Sequence, residues 1–418
     1  MKVELIICNA QLITCATTGK AKKGAQMQDL EIVEKGAVVI ENGKIAAVGK
    51  TADILREFKS DNTIDAGGKV VSPAFVECHT HIVFAGNRFN EFELKIKGAE
   101  YLEILANGGG ILSTVRQTRE ASLAELIEQS RKRLDKLAAL GVMTCEVKTG
   151  YGLNTETELK MLEAILELDK SHEIDLIPTF LAAHAVPPEF KEKPDEYVEL
   201  ICSEMLPQAK KILDSRYSTR NYFVDVFCEK NAFDLEQSRK VLETAKSIGF
   251  GIKAHVDEFT NLGGTRMAIY LGATSIDHLD AISDDEIKLL AESGTIGVIT
   301  PTVNFNFGSS EFADARKLID SGCAVALSTD YNPGSAPCPS LPNAMAIACR
   351  YQKLLPSETF NAATINAAFA VGLGEKIGSI EIGKQADLLI FATQDYREIA
   401  YEFGGNIIEK IIKKGQFI

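Results

Sequence analysis

The sequence predicts an α/β fold, an eight-stranded (β/α)8 barrel of the TIM type, with a small β-sandwich formed by the two chain ends. The middle of the chain alternates short apolar runs with amphipathic helical segments, the pattern of β-α units in a parallel sheet. Eight such runs can be found over about 300 residues, a full set for closure, where an open doubly wound sheet would need no such number. Both ends are written differently, as β runs separated by turn signals.

At the N-terminal end, VELIICNAQLIT is followed by AVVIENGKIAAVG, whose Asn42-Gly43 pair is a hairpin signal, and then by KVVSPAFVE. The C-terminal end repeats this style in IGSIEIGKQADLLIF and IIEKIIKKGQFI. Residues 1–70 and 380–418 are therefore expected to form one composite domain, and 71–379 the barrel. The eight expected strands cover 72–79, 142–148, 174–182, 222–228, 250–256, 273–279, 294–300 and 323–330. Helical patterns such as LAELIEQSRKRLDKLAALG and LEQSRKVLETAKSIG lie between them.

Composition narrows the partners. The chain has 418 residues with 45 basic and 58 acidic side chains, a net charge of −13, and so repels a phosphate backbone. Its nine cysteines show no Cys-x-x-Cys spacing, which reads as reduced thiols in a cytosolic protein. Glu4 interrupts the apolar start, so no signal peptide is expected, and no apolar run approaches the roughly 20 residues of a membrane span. A cytoplasmic location follows as the expectation, with neither nucleic acid nor membrane as partner.

Of the six histidines, five (His79, His81, His184, His255 and His278) fall at or just past the C-terminal end of an expected strand. Barrel active sites are built at that end because the following loops converge there. His172 alone falls in a helix-to-strand connection. In His79-Thr80-His81 the imidazoles share one face of an extended segment. Asp330 ends the last strand, which neighbours the first once the barrel closes, and His255 ends the fifth. Three imidazoles and a carboxylate suit zinc or iron.

The segments VECHTHIVFAGNRFNEFE, NGGGILSTVRQTR, EVKTGYGL, FLAAHAVPPEF, KAHVDEF, DHL and STDYNPGS run over essentially the whole chain. In them the sequence resembles the amidohydrolase superfamily and, within it, the imidazolonepropionase family. Some relatives have Asp where Glu77 stands and Thr where Ser335 stands. The resemblance implies metal ligands His79, His81, His255 and Asp330, holding one Zn2+ or Fe3+ per subunit. It implies substrate contacts from Arg88, Tyr151, His184, Glu258, Asn332, Gly334 and Ser335, with His278, Asp330 and Glu258 catalytic. The implied reaction is hydrolytic ring opening of 4-imidazolone-5-propanoate to N-formimidoyl-L-glutamate, the third step of histidine degradation, in a homodimer.

The residues themselves fit that chemistry. Arg88, a few positions past the His79/His81 pair, can fork onto a carboxylate tail; the alternative is pairing with Glu91 or Glu93. Tyr151 in its Gly-Tyr-Gly turn offers a hydroxyl or is a buried turn tyrosine. His184 is a site residue or a hydrogen-bonded core histidine, and Glu258, three residues past His255, is a cleft acid or a solvated one. Lys148 lies on the second strand, whereas binuclear relatives carry a bridging lysine on the fourth, so one metal is expected. Gly108-Gly109-Gly110 lacks the Gly-Lys-Ser/Thr of a phosphate loop and reads as a mobile loop near the mouth. Three rivals stay open: a purine or pyrimidine deaminase, a barrel without catalysis, and a binuclear cyclic-imide hydrolase.

Overall fold

The computed structural model describes residues 1–98, 109–217 and 221–418. Gly108, part of the expected glycine loop, lies outside the described residues.

The N-terminal strands are β1 (Leu5–Ile13), β2 (Ile32–Glu41), β3 (Lys44–Lys50), β4 (Thr63–Asp65) and β5 (Val70–Pro73). The β2–β3 hairpin turns on Asn42 and Gly43, with φ of 53° and 70°, the left-handed pair that an Asn-Gly hairpin requires. β5 lies parallel to β1 on one side and antiparallel on the other to β14 (Leu388–Phe391). β15 (Ile408–Lys413) and β16 (Gln416–Phe417) extend the sheet. The result is one mixed sheet in the order β16-β15-β14-β5-β1-β2-β3, with β4 beside β1. One set of alternate residues, Leu12, Ile40 and Ile45, is buried with Val71, Leu388 and Ile412, and the other set, Ile6 and Val39, packs with Ile54. Where a sandwich is expected, the two chain ends thus form one mixed sheet, because β5 pairs with strands from both ends.

The barrel strands follow in chain order: β6 (Phe75–Glu77), β7 (Val142–Lys148), β8 (Asp175–Ala183), β9 (Phe223–Cys228), β10 (Gly251–Val256), β11 (Ser275–His278), β12 (Ile296–Ile299) and β13 (Val325–Leu327). Each pairs in parallel with the next. The expected strand over 72–79 is two strands. Pro73 offers no N–H, the Ala74 N–H goes to Asp387 O (2.9 Å) in the small sheet, and the Phe75 N–H goes to Gly141 O (3.0 Å) in the barrel.

The seam between β13 and β6 closes just beyond the strands. A parallel bridge joins Thr80 to Tyr331, and the His81 N–H donates to Tyr331 O at 3.0 Å. Below it the Glu77 carboxylate replaces ladder bonds, accepting from Thr329 N (3.1 Å), Thr329 Oγ1 (2.7 Å) and Ser328 Oγ. That is why the last strand stops at Leu327, short of the expected Asp330. Burial pushes the Glu77 carboxyl up to about 7, against the hydrogen bonds from Ser328 and Thr329 that hold it down.

Helices cover the outside, and their starts are legible as caps. Ser122 and Glu125 form a capping box before Leu123–Ala139, and Asp234 with Gln237 does the same before Leu235–Ser247. Asn154 accepts from Thr157 N before Thr155–Ser171. Among the described residues no helix is long and apolar enough to cross a membrane. The nine cysteines are all free.

Gly141, at φ 84°, sits where the barrel meets the small sheet, and a Cβ there would lie 2.8 Å from both Ile408 Cδ1 and Leu389 Cδ1. Gly141→Val is expected to destabilise the protein by about 2–4 kcal/mol, from backbone strain together with overpacking. Gly67→Ala, with φ 60° but nothing within 4 Å, should cost only the strain, about 1 kcal/mol. Denaturant midpoints check the pair; equal shifts would mean that the sheet–barrel contact is not tightly packed.

Candidate active site and metal centre

Four acidic and imidazole side chains converge at the C-terminal mouth of the barrel. His79 and His81 leave the end of β6 on one face, their Nε2 atoms 3.3 Å apart. His255, near the end of β10, brings its Nε2 to 3.4 Å from His81 Nε2. Asp330 Oδ1, from across the seam, lies 3.4 Å from the Nε2 atoms of both His79 and His81. Ligand atoms at tetrahedral positions about 2.05 Å from one ion sit about 3.3–3.4 Å from one another. All four side chains are buried, and Asp330 Oδ1 has no hydrogen-bond partner. Asp277 Oδ2 lies 2.7 Å from His79 Nδ1, which fixes the proton there and leaves a lone pair on Nε2. Lone pairs on nitrogen and carboxylate oxygen thus face each other in a buried space, an arrangement that a cation relieves. The residues present fit a metal ion of the N3O type.

A second layer holds these groups. Asp225 Oδ2 is 3.1 Å from His255 Nδ1, a close contact without hydrogen-bond geometry. Lys148 Nζ lies 2.8 Å from Asp225 Oδ2, 2.9 Å from Glu146 Oε1 and 3.5 Å from Asp277 Oδ2. Lys253 Nζ is also 2.9 Å from Glu146 Oε1. Burial alone would lower the Lys148 pKa, but Asp225, Glu146 and Asp277 together raise it. Lys148 is a fully buried cation committed to carboxylates and sits on the second strand, as expected.

His278 ends β11 with φ 85°, a conformation that turns the chain sharply at the mouth, and Asp330 has φ 50°. Thr300 Oγ1 is 3.1 Å from His278 Nδ1, and Glu258 Oε2 is 3.9 Å from His278 Nε2. Burial, followed by the charges of Asp330, Asp280 and Glu229, pushes the Glu258 carboxyl well above the usual range. Burial, followed by His255, holds His278 well below the usual imidazole range. Both favour neutral groups at neutral pH.

The wall beside His81 is aromatic. His184 stacks on it with centroids 5.0 Å apart and an 18° interplanar angle, and its Nδ1 lies 3.0 Å from Gly150 O. Burial pushes His184 down to about 3. Tyr151 is buried with its ring 6.0 Å from His81 and 5.4 Å from His184, and burial beside Asp330 raises its hydroxyl pKa.

Arg88 lies on a rim made with the 332–335 loop. Its Nε and Nη2 lie 2.8 and 2.7 Å from Glu91 Oε2, the pairing that the sequence left as the alternative. Its Nη1 rests against Gly334, where a Cβ would come within 2.1 Å of it, so a side chain at 334 would displace the guanidinium. Asn332 spends its amide on its own loop: Oδ1 accepts from Gly334 N and Ser335 N, both 2.8 Å, and Nδ2 donates to Asp330 O (2.8 Å) and Ser335 Oγ (2.7 Å). His172 lies away from the mouth, 3.2 Å from Asp135. A cavity of about 870 Å³ lined by Lys20, Thr274, Ser293 and Thr295 opens at the opposite end of the strands and takes no part in this cluster.

The sequence singles out the four side chains that converge here, but not Asp225, Asp277, Glu146, Lys253 or Thr300 behind them. A signal existed for four of the latter. Each is a charged residue inside an apolar barrel strand, and Lys253 precedes His255 by two positions, as Glu146 precedes Lys148. In a strand that spacing puts both side chains on the same, inward face.

Among solved structures, the fold is similar to a triazine hydrolase variant (TM-score 0.76, 15% identity, covering 99% of this chain and 94% of that one). It is also similar to an adenosine deaminase from Xanthomonas campestris with bound zinc (TM-score 0.73, 18% identity, 100% and 93%). At such identities the likeness is one of fold. Residues 70–418 match the amidohydrolase family, and residues 36–58 match the bacterial imidazolonepropionase-like composite domain. The imidazolonepropionase of Chloroflexus aggregans is 51% identical over 99% of this chain and 98% of its own length. That of Geobacillus kaustophilus is 46% identical over 98% and 96%. With identity of this order over nearly the full length of both chains, this protein belongs to the imidazolonepropionase family of the amidohydrolases.

Proposed function

We propose that this chain opens the ring of 4-imidazolone-5-propanoate by adding one water across a ring C–N bond, giving N-formimidoyl-L-glutamate. The observation that carries the reading is Asp330 Oδ1, buried without a partner 3.4 Å from the Nε2 atoms of His79 and His81, in a chain of this family. His79, His81, His255 and Asp330 would hold one zinc or iron ion. Such an ion supplies Lewis acidity and brings the pKa of a water to about 7.

The chain's own groups do the rest. Asp330 accepts the proton of the attacking water. His278, with Nδ1 beside the Thr300 hydroxyl, has Nε2–H free to donate to the oxygen that gains charge in the tetrahedral intermediate. Glu258, kept protonated by burial, gives its proton to the ring nitrogen as the C–N bond breaks. Arg88 binds the propionate carboxylate, with Gly334 leaving room for the guanidinium and Asn332 shaping the loop that bears Gly334 and Ser335. Tyr151 and His184 wall the ring. The same reading takes 1–70 with 380–418 as one domain and 71–379 as the catalytic one, in a cytoplasmic homodimer.

One equivalent of metal per chain is the expected elemental analysis of protein purified without added metal; a reproducible two would overturn the mononuclear assignment. His255→Ala should lose both metal and activity.

Arg88→Met should lower kcat/KM about tenfold to hundredfold, since a charge-assisted pair contributes about 1.5–3 kcal/mol. Steady-state kinetics on the propionate-bearing substrate decide it, and wild-type values would place the carboxylate elsewhere.

Product mass separates ring opening from deamination, because only deamination releases ammonia. Substrate plus one water with no ammonia is expected, and stoichiometric ammonia in the first turnover would reject the assignment. Glu258→Gln should keep its metal and lose most of its turnover, as an amide cannot pass on a proton.

A further inference from the structure

Glu146, Lys148, Asp225, Lys253 and Asp277 fill the barrel beneath the imidazoles, all fully buried, and no step of the reaction above uses them. Burying five charges is costly, and apolar side chains would fill the same space more cheaply. The geometry gives the cluster a task. Asp225 Oδ1 is anchored by Val226 N (2.7 Å) and His255 N (3.2 Å), and Asp277 Oδ1 by Ser275 Oγ (2.8 Å). In both residues the other oxygen, Oδ2, is shared between Lys148 Nζ and the Nδ1 atom of an imidazole, His255 for Asp225 and His79 for Asp277. Glu146 Oε1 in turn fixes Lys148 Nζ at 2.9 Å and is itself held by Lys253 and the Thr179 hydroxyl. One ammonium therefore faces the carboxylates behind two of the imidazoles, which come from strands on different sides of the barrel.

We propose that Lys148 is a positioning residue of the metal centre, its ammonium holding Asp225 and Asp277 so that His255 and His79 both present Nε2 lone pairs to one ion. Asp277, hydrogen-bonded at His79 Nδ1, selects that ring's tautomer, Asp225 facing His255 Nδ1 at 3.1 Å orients the second ring, and the cation holds both carboxylates in place. The proposal rests on His79 and His255 being ligands.

The test uses the full-length protein stripped of metal and reloaded with cobalt(II), in wild-type and Lys148→Met forms. Cobalt affinity is measured by competition with a chelator, and coordination by the visible spectrum. The variant is expected to bind cobalt at least tenfold more weakly than wild type and to show an altered spectrum while its circular dichroism is unchanged. Lys148→Gln, which keeps a hydrogen-bond donor, carries the same test where the methionine variant does not fold. Lys148→Arg, which keeps the charge, should regain part of the lost affinity. A lower melting temperature with cobalt affinity within threefold of wild type and an unaltered spectrum would overturn the proposal, leaving Lys148 a purely structural cation. Wild-type protein that binds no cobalt would instead overturn the metal-site reading on which it rests.

Discussion

Closure of the barrel between its first and last strands is the constraint from which the site follows. β6 and β13 are separated by about 250 residues of sequence, yet the Thr80–Tyr331 bridge and the Glu77 carboxylate lock them side by side. Once they are locked, His79, His81 and Asp330 have to converge, because they sit immediately past the closing contacts. Glu77 is fitted to this work. A short strand leaves Thr329 N without a ladder partner, and the carboxylate satisfies it along with two hydroxyls, so no buried donor is stranded.

Behind that mouth the barrel carries charge where most barrels carry branched apolar side chains. Three carboxylates and two ammonium groups lie together in a space closed to water. Breaking one partner out of such a set leaves an uncompensated buried charge, which costs about 3–5 kcal/mol. Each member therefore supports the others, and the set gives the imidazoles a fixed base. Preorganisation of this kind is what a centre needs when its own charges face one another.

The small sheet contributes in a different way. β5 passes straight into β6 through Ala74, so the sheet built from the chain ends is continuous with the strand that bears the site. Phe75, at the start of that strand, packs its ring against Phe360 and Phe391, the latter from β14. The C-terminal end of the chain thus buttresses the foot of the strand whose head carries His79 and His81.

Much of this was determined by sequence alone. The eight barrel strands, the Asn42-Gly43 hairpin, the helix caps and the pairing of both ends are local or periodic signals, and a chain writes them in order. The histidines at strand ends were equally legible, since few residue types serve as ligands and position along a strand fixes the end at which they lie. Tertiary structure alone decided the rest. Nothing in the sequence pairs Arg88 with Glu91 rather than Glu93, or seats its guanidinium on Gly334, or spends the Asn332 amide on its own loop. The sequence places Glu146, Lys148, Asp225, Lys253 and Asp277 on five inward-facing strand positions without saying which charge meets which. Strand register around a closed barrel sets those distances, and register is a property of the whole ring rather than of any one strand.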